Sequence, residues 1–463
     1  MKKIQYFILS FLLVLGSGCE EFIDVNENPN DPVDVQESLI LPAAELTLSR
    51  NLLSGIPATM VQHFLQNMAQ NQPIPQIGTY RLLPNELNDD WNSLYTFGMN
   101  NLRILNEKAE TNGNFNYAAT AKILMALTLG TATDLWGDIP YSQALKGSEI
   151  FTPVYDSQES IYAEIQKLLD DAIADIAKNG VIKPSGDDFF YGGAMDKWQR
   201  LAYTLKARYY MHLTKAPGHT ASAQADLALA ALSNGMASPE DALAYTYPGG
   251  AGQENRWYRN FDLVSTSIMA STFVNSLSTR NDPRLPLMVK PAEATGLYTG
   301  RNIGTPDIGV LNTYSYPSDF YIGTDATHFL VNYSEALFLK AEATLLKSGF
   351  GAAESIYQEG VRAHMELLGV DPDDITSYLS TRGTLTSGNA LQLIIEEKAV
   401  ANFLNIETFV DWRRTGFPQI TKVTNAQSDI PRRLIYPETE MISNPQSQQS
   451  TQLTDRVWWD QPL

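Results

Sequence analysis

Apolar side chains recur every three to four positions through most of this chain, the spacing of helices with one buried face. The pattern runs through 41–70, 87–109, 116–135, 158–178, 196–214 and 221–233. It lapses between about 236 and 325, where Gly, Pro, Tyr, Asn and Ser gather in "YTYPGGAGQENRWYRNF", "NDPRLPLMVKPAEATGLYTGRNIG" and "NTYSYPSDFYIG". Only 262–279 keeps a helical spacing there. Helical spacing returns over 328–347, 351–369 and 389–414, and the tail from 415 is irregular. The pattern predicts a mostly α protein in which paired helices scaffold an irregular, loop-rich region.

The clearest pair lies in "YSEALFLKAEATLLKSGFGAAESIYQEGVRAHMELLG". Ala341, Ala353, Tyr357 and Gly360 fall at the small, small, large and small positions of a tetratricopeptide hairpin. Small residues allow two helices to approach closely, an aromatic fills the groove between them, and Gly349 ends the first helix. The stretches 116–135 with 158–178, and 196–214 with 221–233, have suitable lengths for further pairs.

The N-terminus has a different pattern. Lys2 and Lys3 precede an apolar run, Tyr6 to Leu15, which is shorter than the roughly 20 residues a membrane span needs. Gly16, Ser17 and Gly18 lead to Cys19, the single cysteine of 463 residues. That layout reads as a secretory signal over 1–18 whose cleavage leaves Cys19 as a lipidation site, although Gly16 stands where many such signals carry leucine. Residues 19–38 then read as a polar tether, and 39–463 as one domain. Within the tether, Asp24, Asn26 and Asn28 start like a calcium loop. Pro29 and Val35 replace the glycine and glutamate that such a loop requires, so no metal is expected.

Composition narrows the functions open to the chain. A formal net charge of −19 repels nucleic acid and anionic lipid, so any membrane attachment would be through a lipid anchor and not through a basic patch. A lone cysteine excludes disulfide frameworks and thiolate zinc sites. His63, His212, His219, His328 and His364 are scattered without a zinc spacing. Neither a nucleophile elbow nor a phosphate-binding glycine loop is present. A binding protein, not an enzyme, and one without a cofactor, is the expectation.

Several segments together resemble one family. They are "CEEFIDVNENPNDP" at the start; "DLWGDIPYSQAL" (134–145); "KWQRLAYTLKARYYMHL" (197–213), with "NDPRLPLM" (281–288) after it; and "EEKAVANFLNIETFVDWRRTGFP" (396–418), followed by "IPRRLIYPETEMISNP" (430–445). In order and spacing the chain resembles the SusD/RagB family of Bacteroidetes outer-membrane nutrient-binding lipoproteins, in its second SusD-like subgroup. The resemblance implies tetratricopeptide helix pairs and a partner, a SusC-like TonB-dependent transporter on which the lipoprotein sits as a lid. It also implies lipid anchoring at the outer membrane, facing the exterior, to which Glu20 and Glu21 after the cysteine add support. The implied cargo is an oligosaccharide; a peptide ligand, or a scaffold that binds nothing, are the alternatives.

Physical readings of the motifs are structural. Gly137 and Pro140 stop a helix, Trp136 and Tyr141 pack the corner, and Arg413 and Arg414 sit near a helix C-terminus where an ion pair is favoured. Asp134 and Asp138 are a weaker candidate for a sugar or metal site. Sugars present apolar C–H faces and many hydroxyls, so ligand candidates are aromatic and hydrogen-bonding residues on loops. These are Trp257, Tyr258 and Arg259; Tyr314, Tyr316 and Tyr321; and Arg81, Asn88, Asp89 and Trp91. Trp257 is the expected stacking platform.

Overall fold

The computed structural model describes residues 35–263, 266–447 and 451–462. Cys19, the signal and most of the tether lie outside the described residues. Helices dominate, at 56% of residues against 6% in strands. The main ones are α1 (Glu37–Thr47), α2 (Ile56–Phe64), α3 (Asn88–Ser93), α4 (Asn100–Asn112), α5 (Phe115–Trp136), α6 (Gln158–Ala177), α7 (Met195–His212), α8 (Ala221–Leu232) and α9 (Ser271–Ser278). After the irregular region come α10 (Tyr333–Ser348), α11 (Phe350–Leu368), α12 (Pro372–Arg382), α13 (Ala390–Ala401), α14 (Glu407–Thr415) and α15 (Glu438–Ser443). Helices α4 to α8 pack each on the next, α10 lies on α8, and α11 and α13 pack on α10. No helix among the described residues is long and apolar enough to cross a membrane.

The α10–α11 hairpin follows the predicted packing. Ala341, Ala353 and Tyr357 are fully buried. A Cβ on Gly360 would come within 2.9 Å of Phe338, so only glycine lets the helices approach this closely. Tyr357 spans the groove, and its hydroxyl donates to the Arg382 carbonyl at 2.9 Å. Gly349 ends α10 with φ +85°, and Gly137 ends α5 with φ +80°, both in the left-handed region that favours glycine. Beyond Gly137, Trp136 is buried and donates to the Ile435 carbonyl at 3.0 Å. Asp138 caps α6 through the Gln158 N–H at 2.8 Å.

Four predicted helices are cut by tertiary pairing or by backbone turns. The 41–70 stretch breaks at Gly55, where a Cβ would collide with the Asn51 carbonyl, and it ends in a strand, Met68–Gln70. That strand pairs antiparallel with Ser267–Met269, which shortens the predicted 262–279 helix to α9. Thr327–Val331 pairs with Leu243–Thr246, so α10 starts later than 328. Residues 389–414 split at Leu404, which takes a left-handed φ of +65°. Helix α12 was not predicted, though Asp371 as a cap before Pro372 is a readable start.

A chain of buried charges joins α7, α10, α13 and α14. Arg208 grips Glu335 with two hydrogen bonds of 2.7 Å. Glu407 receives His212 at 2.9 Å and Lys398 at 3.1 Å. Lys398 also lies 2.9 Å from Asp411, and Asp411 pairs with Arg414 at 2.8 Å. Arg414 closes on Glu342. The expected ion pair therefore belongs to Arg414, whereas Arg413 is sandwiched between the rings of Phe409 and Trp459 at 4.1 and 4.5 Å. Asp134 is absorbed into the same core, accepting from the Tyr162 hydroxyl at 2.5 Å and from Trp459 Nε1 at 2.9 Å. A second knot centres on Arg284, which reaches Asp282 at 2.7 Å and Glu397 at 2.5 Å.

Burial alone would depress the His212 pKa, but the Glu407 and Asp134 carboxylates overcome it and push the value up to about 9 from 6.5. The bound proton stabilises the fold fully below pH 6.5, and that contribution is lost as pH rises through 9. It amounts to about 3 kcal/mol at most. Chemical denaturation at pH 6.5 and pH 9.5 measures it. Stability should fall between the two, and His212→Gln should flatten that fall.

Candidate functional site

The irregular region is pinned to the segment that follows α2. Asn71 forms two hydrogen bonds with the backbone of Gly309, at 2.7 and 2.9 Å. A Cβ on Gly78 would come within 3.0 Å of Ile303, so this glycine permits the close approach of the two loops. Arg301 is buried and ties its own loop to the Thr305 and Asp307 carbonyls at 3.0 and 2.7 Å. Gln76 staples the 70–76 turn by donating to the carbonyls of Gln70 and Gln72, both at 3.2 Å.

Between this turn and α2 lies a cleft of about 390 Å³, within the range of small-ligand sites. Gln70, Gln72, Gln76, His63, Arg81 and Glu86 supply its polar lining, with Pro73, Pro75, Ile56 and Ile77 between them. Gln72 and Arg81 are exposed. Desolvation holds the buried His63 imidazole neutral, its pKa pushed down to about 4. The ring nitrogen Nδ1 lies 2.8 Å from the Thr59 carbonyl and so must carry the proton, which leaves Nε2 as an acceptor. Neither His63 Nε2 nor Gln76 Oε1 has a hydrogen-bond partner. The cleft thus combines the exposed Arg81 guanidinium, the exposed Glu86 and several amides. That set suits a neutral ligand rich in hydroxyl groups.

Of the residues predicted from sequence, Arg81 alone lines this cleft. Trp257 must be corrected as a platform: it is 2% exposed, because its short helix, Arg256–Tyr258, folds inward with Phe261. It meets Tyr321 across a small cavity, and Trp257 Nε1, Tyr321 Oη and Asn402 Nδ2, all from its lining residues, have no hydrogen-bond partner. Trp91 is likewise core, 5% exposed and packed edge-on to Trp136 at 5.3 Å. Asn88 accepts from the N–H and hydroxyl of Thr439, both at 3.2 Å, and so anchors α15. Tyr314 accepts from Arg301 at 3.2 Å. Tyr316 pairs with Lys290 in a two-residue ladder. Tyr258 and Arg259 are half-buried, and Asp89 is exposed on α3. The glutamines and His63 were missed because nothing in their spacing marks them; the turn that gathers them is closed by partners more than 200 residues away.

A helical-repeat scaffold that holds an irregular region and a surface cleft defines a binding protein of the SusD-like type. The chain belongs to that family, described as "starch-binding associating with outer membrane", whose match covers residues 29–437. Among curated proteins none matches. Among solved structures, a chitin-binding protein is similar at 24% identity and a TM-score of 0.80, over 92% of this chain and 100% of its own. A SusD/RagB family protein from Bacteroides thetaiotaomicron has 24% identity and a TM-score of 0.80, over 92% and 99%. A chitin-binding SusD homologue from Flavobacterium johnsoniae has 22% identity and a TM-score of 0.79, also over 92% and 99%.

Burial makes Trp257 a stability residue. Trp257→Ala should cost about 3–5 kcal/mol, read as a lower midpoint in urea. An unchanged midpoint would show that the indole is not part of the core.

Proposed function

We propose that this protein is a cell-surface lipoprotein that captures an oligosaccharide in the cleft beside Arg81 and delivers it to a SusC-like TonB-dependent transporter. The observation that carries the reading is the polar cleft, with its exposed Arg81, on a scaffold of a family described as starch-binding. The chitin-binding description of two similar structures makes chito-oligosaccharides the first ligands to try beside malto-oligosaccharides. Hydroxyl groups suit the exposed Gln72, Arg81 and Glu86 of the cleft, and the prolines offer apolar patches to C–H faces. The anchor is Cys19 and the partner a barrel in the same membrane.

Calorimetric titration with both oligosaccharide series tests the cleft. Arg81→Ala and Gln72→Ala remove exposed side chains, so thermal midpoints should hold while affinity falls about tenfold, the loss of roughly 1.4 kcal/mol. Full affinity in both variants would place the ligand elsewhere. Binding of peptides alone would replace the sugar reading, and binding of neither class would leave a transporter scaffold.

Anchoring and partnership are tested together. Wild-type protein should fractionate with the outer membrane and co-purify with a TonB-dependent barrel in mild detergent. Cys19→Ser should release it into the soluble fraction with helical circular dichroism unchanged. Continued membrane retention of the serine variant would sink the anchor reading.

A further inference from the structure

The described residues begin at Val35, sixteen positions after Cys19. Even fully extended, sixteen residues span at most about 55 Å. The surface round this entry point is therefore the part of the domain closest along the chain to anything attached at Cys19. Hydrogen bonds fix its place in the fold. Glu37 accepts from Asn112 and Asn114 Nδ2, both at 2.8 Å, so α1 begins against the turn between α4 and α5. Two residues further, Asn116 donates to the carbonyls of Gly180 and Ile182, at 2.8 and 2.9 Å. The loop after α6 thus stands at the same end of the molecule as the entry of the chain.

That loop has an apolar tip. Asn179 takes a left-handed φ of +52°, which turns the chain at the end of α6. Val181 is 97% exposed, more than any other large apolar side chain among the described residues, and Ile182 beside it is 56% exposed. Leu39, in the first turn of α1, is exposed too. A single exposed apolar residue needs no explanation. Two adjoining β-branched ones, on a loop held by two hydrogen bonds, stay hydrated at a cost that burial would recover. Lys183 follows, exposed and without an ion pair among the described residues. Its long stem lets the ammonium reach lipid phosphates while its neighbours lie deeper. The carboxylates nearby are engaged, Glu37 by its two asparagines and Asp187 by the Tyr117 hydroxyl at 2.8 Å and the Ser185 N–H at 2.9 Å.

A tip of two side chains is too small for a stable protein interface, which buries about 1,200 Å² or more. It suits a bilayer, where an acyl anchor supplies the attachment and the tip sets the orientation. We propose that Val181 and Ile182 insert into the lipid beside the anchor, so that the domain rests on the bilayer by this end. The proposal takes the Cys19 anchor from the function proposed above.

Site-directed fluorescence tests it. Acylation of Cys19 leaves the mature chain without a free thiol, so Val181→Cys supplies the single labelling site. Lipidated protein with an environment-sensitive dye at position 181 is reconstituted into phosphatidylcholine vesicles, beside Leu297→Cys, a second exposed apolar position. Emission at 181 should shift to the blue and lose most of its intensity when dibrominated lipid is used, while emission at 297 stays as in water. With the dye moved to Lys183→Cys, adding Val181→Asp and Ile182→Asp should abolish the quenching and leave the thermal midpoint unchanged, because both side chains are exposed. Water-like emission at 181, equal quenching at 181 and 297, or a blue shift without quenching (cover by protein) would each overturn the proposal, as would full quenching in the aspartate variant. Failure of the anchor is read separately, since a chain without lipid does not float with the vesicles. The Cys19→Ser chain with an N-terminal hexahistidine tag, held on nickel-chelating lipid, then gives the same readout at position 181.

Discussion

The chain of buried charges from Arg208 to Glu342 is the constraint on which the rest of the structure depends. It ties helices from three separate stretches of sequence: α7, then α10, then α13 and α14. Its members sit at 8% exposure or less, where an unpaired charge costs several kcal/mol, so each needs its partner in place. Removing one member is expected to be far more damaging than exchanging the whole set for apolar residues. That is why the arrangement favours a single register of helices. An apolar core could slide by a turn and remain apolar; Arg208 shifted by one turn would lose both bonds to Glu335. The sequence motifs that carry the family resemblance are largely these residues. Arg208 and His212 come from "KARYYMHL", Lys398 to Arg414 from "EEKAVANFLNIETFVDWRR", and Arg284 from "NDPRLPLM". They build the scaffold, while the cleft is lined by other residues.

A rigid scaffold lets the irregular region be irregular. Loops without their own ladders must satisfy their backbone groups through side chains. Arg301, Asn71, Gln76 and Asn255 do this work, the last by donating to the Tyr321 carbonyl at 3.0 Å and accepting from the Trp257 N–H at 2.8 Å. Four short two-stranded ladders supply the remaining order among the described residues, and three of them hold this region. The consequence for binding is that the loops beside the cleft are fixed by polar pins and close glycine contacts. The large aromatics that look like ligand platforms in the sequence fill the space beneath those loops.

Much of the helical frame was legible in sequence, because a buried stripe repeats every three to four residues whatever it packs against. The α10–α11 hairpin, the stop at Gly137 and the cut at Gly349 follow from local sterics. The errors lie where a distant partner intervenes. Met68–Gln70 and Thr327–Val331 carry helical spacing but are drawn into strands by partners 201 and 88 residues away, in the pairings of Met68 with Met269 and of Val331 with Leu243. Trp257 and Trp91 were misjudged for a related reason. Both stand among polar residues, and the sequence neighbourhood of an aromatic does not say which way its short helix turns.

What this sequence determined by itself is therefore the class of fold, the helix ends set by glycine and proline, and the family. Those depend on periodicity, on backbone sterics and on motifs that lie within single segments. Only the tertiary structure decided which polar residues line a cleft and which are buried. Arg81 joins Gln70, Gln72, Gln76 and His63 because Asn71 meets Gly309 and Gly78 meets Ile303. Arg382 is held by Glu396 and Glu397 because α13 brings both carboxylates to face it. Such differences arise from the satisfaction of hydrogen bonds across long sequence separations, which no local pattern records.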